Sequence, residues 1–206
     1  MELILEIAGM IVGLIYLWLE YRASIYLWIA SIIMPAIYIF VYYNAGLYAD
    51  FGISIYYLLA AIYGWFVWKY GALQIPKIMQ RKRANNSPVQ IQQISRTPLR
   101  YVSSMIVVFM IAFFAIAWIL ITFTDSNVPW WDSFTTALSI IAMWMLAHKY
   151  VEQWLIWIAV NIVSVGLYIY KDLYFTAGLY LLYAVIAVFG YIKWKNLMLN
   201  GETCNK

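Results

Sequence analysis

What most constrains this chain is a recurrence of long apolar runs. Seven of them, at about residues 3–19, 25–43, 51–68, 101–122, 133–148, 154–170 and 174–194, alternate with polar breaks. A helix rises about 1.5 Å per residue and a bilayer's hydrocarbon core is roughly 30 Å thick, so about 20 mostly apolar residues make one crossing. Of the 206 residues, 66% are hydrophobic and 11% charged. A soluble core of that size cannot hide so much apolar surface. The expected fold is an all-α integral membrane protein with seven transmembrane helices. The opening MELILEIAGM carries acids and no basic n-region, so it is expected to remain as a span rather than act as a cleaved signal peptide. A single cysteine, Cys204, provides neither a disulfide framework nor a Cys-based metal site.

Five breaks are short, and one, 69–100, is a long loop with Pro, Asn and Ser and seven Lys/Arg but no acid. If that loop is cytoplasmic, its side receives Arg22, Lys69, Lys77, Arg81, Lys82, Arg83, Arg96, Arg100, Lys149, Lys193, Lys195 and Lys206, against Lys171 alone outside. This positive-inside split predicts an external N-terminus and a cytoplasmic C-terminus. The loop has no aromatic interleaving for base stacking, so its charge is read as orientation and anionic-lipid contact, with no nucleic-acid partner.

An internal repeat is visible. Trp28-Ile29-Ala30 matches Trp157-Ile158-Ala159; after a three-residue gap Leu47-Tyr48 matches Leu173-Tyr174, Gly52 Gly178, Tyr57 Tyr183, Gly64 Gly190, Trp68 Trp194 and Lys69 Lys195. The expected organisation is a first three-helix repeat (1–68), the basic loop (69–100), a linker helix (101–122), a second repeat (133–195) and a cytoplasmic tail (196–206). This parallel 3+1+3 arrangement is the SWEET-like one, with substrate at the repeat interface. On this register Pro35, which should kink the second span, pairs with Ser164.

The chain has no GxxxxGK[ST] cradle, no HExxH and no GxSxG, so neither ATP-driven pumping nor enzyme activity is expected, and no cofactor or metal. His148 is read as an interfacial histidine, with a proton-coupling role as the sharper alternative. Glu6 lies near the outer surface, and Glu20 and Glu152 flank the inner ends of spans 1 and 6. A midplane coupling carboxylate is therefore not expected, which favours facilitated diffusion by alternating access.

Recognition then falls to polar and aromatic groups. Gln153, Trp157 and Asn161 are spaced by four and share one helical face, a wall on which a flat heteroaromatic ring can stack while amides orient it. The bland reading of Asn161 is an interhelical hydrogen bond. Tyr57 and Tyr183 hold matched mid-span positions. Trp65 is balanced between site and interfacial belt, whereas Trp68 is weighted to the belt. Gly9 and Gly13 form a GxxxG close-contact motif.

The run PWWDSFTTALSIIAMWMLAHKYVEQWLIWIAVNIVSVGLYIY, together with GLYAD and YGWFVW, resembles PnuC-type vitamin transporters over nearly the whole chain. That resemblance implies a SWEET-like fold in a bacterial cytoplasmic membrane and facilitated uptake of nicotinamide riboside with metabolic trapping. Related branches carry thiamine, riboflavin or deoxynucleosides. It adds Trp154 to Trp157 and Asn161 as binding residues, and with them the Trp65–Trp68 pair. The chain departs from the pattern at Gln153, where riboside carriers often have Asn, and in WIASIIMPAIY, which lacks an Asn seen in some relatives. Thiamine uptake, a non-transporting structural or signalling role and self-association into a homo-oligomer stay open at this point.

Overall fold

The computed structural model describes residues 2–45, 48–70, 93–124 and 126–200, with side-chain surroundings in the first helix given from Val12 onward. Gly9, Glu6, most of the basic loop, Asp125 and Cys204 therefore lie outside the described surroundings. Each apolar run forms one helix: α1 (Glu2–Tyr21), α2 (Tyr26–Ala45), α3 (Tyr48–Tyr70), α4 (Leu99–Phe123), α5 (Pro129–Ala147), α6 (Gln153–Tyr170) and α7 (Tyr174–Asn200). Helices are what lipid permits, because every backbone N–H and C=O must be satisfied within the segment. By length and apolarity α4, α6 and α7 each suffice to cross a bilayer. The outer surface is apolar: Phe40, Ile111, Trp118 and Phe189 are all more than half exposed, as a lipid-facing surface requires.

Turn chemistry sets the register of the two halves. After α1, Ala23 adopts a left-handed conformation (φ 50°), while Ala23 N–H donates to Glu20 O (2.8 Å) and Ser24 N–H to Leu19 O (2.9 Å). This is a Schellman ending. After α5 it recurs 126 residues on: Lys149 at φ 54°, Lys149 N–H to Leu146 O (3.0 Å) and Tyr150 N–H to Met145 O (3.0 Å). The next helix then starts alike in both halves, through Trp28 N–H to Ile25 O and Trp154 N–H to Val151 O.

Packing repeats at the same spacing. The Trp28 indole lies against Gly64, where a Cβ would collide with it, and meets Trp68 edge-on at 5.6 Å. Trp154 lies against Gly190 and meets Trp194 edge-on at 5.7 Å. The second indole of each pair then ties one half to the other. Trp68 Nε1–H donates to Leu146 O (3.1 Å) and Trp194 Nε1–H to Glu20 O (3.2 Å).

These contacts correct the sequence-based register. The spacing is 126 with no gap, so Trp28 corresponds to Trp154, and Pro35 to Asn161 rather than Ser164. The Trp-Ile-Ala match misleads because the Schellman turn, not residue identity, fixes where each helix begins. Trp68 is also corrected: it is 5% exposed and forms part of the scaffold rather than an interfacial belt.

Among the described residues, α1 packs on α2 and α7, α2 on α3, α3 on α5, α5 on α6 and α6 on α7, which closes a six-helix ring. α4 packs against α5 from outside. The strap before α4 is pinned to the α5–α6 turn. Ser95 N–H donates to Lys149 O, Val151 N–H to Ser95 O, and Glu152 Oε2 accepts from both Thr97 N–H (2.8 Å) and Thr97 Oγ1 (2.9 Å).

Candidate functional site

The ring encloses a cavity of about 680 Å³, within the range of small-molecule sites. α6 lines it with one continuous face: Trp154, Trp157, Val160, Asn161, Ser164, Leu167, Tyr168 and Lys171. Facing it are Gly13, Tyr16 and Glu20 of α1, Ser31 and Pro35 of α2, Tyr57 of α3, Ser139 of α5, and Tyr180 and Tyr183 of α7. Gly13 lies under the tip of Tyr183: an added Cβ would sit 2.5 Å from its hydroxyl.

Of the sequence-predicted residues, the structure brings Trp154, Trp157, Asn161, Tyr57 and Tyr183 to this one cavity. Asn161 is buried and makes no hydrogen bond to the protein among the described residues, so it is not the interhelical tie of the bland reading. Trp157 Nε1 is enclosed and has no hydrogen-bond acceptor. Such a buried donor costs about 1–3 kcal/mol unless a partner arrives. Trp154 belongs chiefly to the scaffold, with its face on Gly190. Gln153 is fully buried beside Glu20 and does not reach the lining. Trp65 and Trp68 also stay out of the lining; Lys69 sits over the Trp65 ring and Lys149 over Trp68, at 4.4 and 4.2 Å.

His148 is likewise outside the lining. Its Nδ1 lies 2.9 Å from Trp144 O, and its Nε2 3.3 Å from the Tyr63 hydroxyl. A carbonyl only accepts, so Nδ1 carries the proton and Nε2 accepts from the tyrosine in the neutral ring.

The 126-residue register aligns the scaffold of the two halves. Positions alike in both halves (Trp28/Trp154, Gly64/Gly190, Trp68/Trp194) hold the ring together. Among the lining positions, Tyr57 and Tyr183 are alike in both halves, whereas Trp157 stands against Ser31, Asn161 against Pro35, and Glu20 against Leu146, which does not line the cavity. The two small or rigid residues on α2 leave room opposite the ring and amide on α6.

The sequence-based placement of Glu20 at a hydrated inner end of the first span is corrected: it is buried and lines the cavity. Sequence reasoning missed Tyr16, Tyr168, Tyr180 and the Asp132–Lys171 ion pair (3.5 Å) at the other end of the cavity. Tyr168 stacks on Tyr180 at 4.9 Å. The available signal was the α1 spacing Gly13, Tyr16, Glu20, which is one helical face.

A polytopic helical bundle whose ring encloses an aromatic, amide-bearing cavity of ligand size is the build of a membrane transporter. The chain belongs to the nicotinamide mononucleotide transporter family, whose model matches residues 3–196. It is 25% identical over 160 residues to the nicotinamide riboside transporter PnuC of Escherichia coli (strain K12), covering 72% of this chain and 67% of that one. It is 24% identical over 190 residues to the riboflavin/roseoflavin transporter RibM of Streptomyces davaonensis, covering 92% of this chain and 83% of that one. A crystal structure of the vitamin B3 transporter PnuC superposes with a TM-score of 0.63 at 19% identity, over 93% of this chain and 80% of that one, which shows a shared fold.

Proposed function

We propose that this protein takes up nicotinamide riboside by facilitated diffusion, alternating access between the two sides of a bacterial cytoplasmic membrane. The observation that carries the reading is the α6 face, on which Trp157 and Asn161 stand in one cavity with no protein hydrogen bond spent on either polar group. Trp157 offers a π-face for a pyridinium ring, and Asn161 offers a donor and an acceptor to a carboxamide or a sugar hydroxyl. The names of the relatives support a flat heteroaromatic cargo bearing a ribose or ribityl chain.

In this reading the two halves, 1–68 and 133–195, rock against each other about the cavity, while α4 links them from outside. Trp68–Leu146 and Trp194–Glu20 are the ties across which that motion is transmitted. The N-terminus lies outside and the C-terminus inside, as the Lys/Arg split indicates. Phosphorylation in the cytoplasm then makes net uptake one-way.

The test is saturable tracer entry into proteoliposomes, comparing nicotinamide riboside with thiamine and riboflavin. Entry of the riboside, blocked by excess unlabelled riboside and weakly by the others, supports the reading. Entry of thiamine or riboflavin in its place overturns the assignment.

A further inference from the structure

We infer that the Glu20 carboxylate is the counter-charge for a cationic ring carried in this cavity, and that it selects cations over neutral molecules of the same shape. This inference rests on the proposed uptake of a heteroaromatic cation.

Three observations converge on Glu20. First, its side chain is 1% exposed and lines the cavity, and its Oε1 is enclosed with no hydrogen-bond partner. No ion pair joins it to a Lys or Arg among the described residues. Isolating a carboxylate from water costs several kcal/mol unless a cation compensates. The charged pair at the far end of the cavity, Asp132–Lys171, is already neutralised within itself.

Second, the fold does not ask for the charge. The corresponding residue of the other half is Leu146, and at both positions the structural task falls to the backbone carbonyl, which accepts an indole N–H. A leucine does that task as well as a glutamate. The acidic side chain is thus additional to what the repeat needs, as Trp157 and Asn161 are at their own positions.

Third, its surroundings suit a cation. Tyr16, one helical turn before Glu20 on α1, and Gln153 are its polar neighbours. Tyr57, Trp157 and Tyr183 line the same cavity and supply π-faces. A delocalised ring cation there would meet aromatic faces and a carboxylate together, and the partner absent from the protein would be provided by the cargo. Gln153 has neither amide atom in a completed hydrogen bond, so it is available to steady the carboxylate once the charge is paired.

The experiment titrates purified, monodisperse protein with nicotinamide riboside and with its uncharged dihydro form, which keeps the ribose and carboxamide. Wild type is expected to bind the cation at least tenfold more tightly. Glu20→Gln, which keeps shape and removes charge, should weaken the cation at least tenfold while leaving the dihydro form within about threefold. Retained dihydro binding shows that the variant is folded. If the variant is not recovered folded, the wild-type comparison decides alone. Equal wild-type affinity for the two forms, or an equal loss of both in Glu20→Gln, overturns the counter-charge. Wild type that binds neither form overturns the transport reading instead.

Discussion

Replacing Trp157 by Ala isolates the face on which the cargo is held. The indole lines the cavity, and its Nε1 is enclosed without an acceptor. A cation over a desolvated indole is worth about 2 kcal/mol. A six-membered ring lying on it hides roughly 40 Å² of apolar surface, about 1 kcal/mol at 25 cal/mol per Å². Because the alanine void can admit water and return part of this, the expected loss is about 2–3 kcal/mol, or roughly 30- to 150-fold in Kd. Trp157→Phe restores a face with a weaker quadrupole and removes the unpaired donor, so it should recover most of the loss. Asn161→Leu keeps the helix apolar while removing the orienting amide, and should cost about tenfold. Calorimetric titration of monodisperse protein measures all three. Wild-type affinity in both Trp157→Ala and Asn161→Leu would refute this site. A fall in folded protein with unchanged affinity would make both residues purely structural.

The scaffold makes its own predictions. Gly190→Ala sets a Cβ 2.8 Å from three ring atoms of Trp154 and should destabilise by about 1–3 kcal/mol through overpacking, lowering the midpoint of thermal aggregation in detergent, whereas Gly178→Ala, with nothing within 4 Å, should not. Trp68→Phe and Trp194→Phe each delete one indole N–H donated to a carbonyl and should cost about 1 kcal/mol apiece. Strongly unequal losses would contradict the 126-residue equivalence. Glu152→Ala removes the acceptor of two Thr97 hydrogen bonds, so amide exchange over 93–98 should accelerate while cargo affinity is unchanged.

Helix number and placement were readable from the sequence because lipid imposes one periodicity on every crossing, and the seven apolar runs carry it without ambiguity. The α6 stripe was readable for a similar reason: Trp157 and Asn161 are one turn apart, and a mid-span amide stands out against apolar neighbours. Trp154 and Trp68 were harder. An indole against glycine and an indole in a site look alike in one dimension, and only the contact with Gly190 or the bond to Leu146 O separates them. Glu20 sits at the end of an apolar run, where a carboxylate normally meets water. Its burial depends on α7 and α6 closing over it through Trp194 and Gln153, residues more than 130 positions away. The repeat itself was visible, but a chance Trp-Ile-Ala match shifted its register and hid the pairings Ser31 with Trp157 and Pro35 with Asn161.

The most direct test of a passive carrier is whether purified protein in sealed liposomes equilibrates or concentrates its cargo. With nicotinamide riboside present at equal concentration inside and out, external tracer should exchange to equal specific activity. With the membrane potential clamped at zero, it should do so at the same rate and to the same level with imposed proton or sodium gradients as without them. With the potential so clamped, accumulation beyond equilibrium that collapses on adding a protonophore or sodium ionophore would contradict facilitated diffusion.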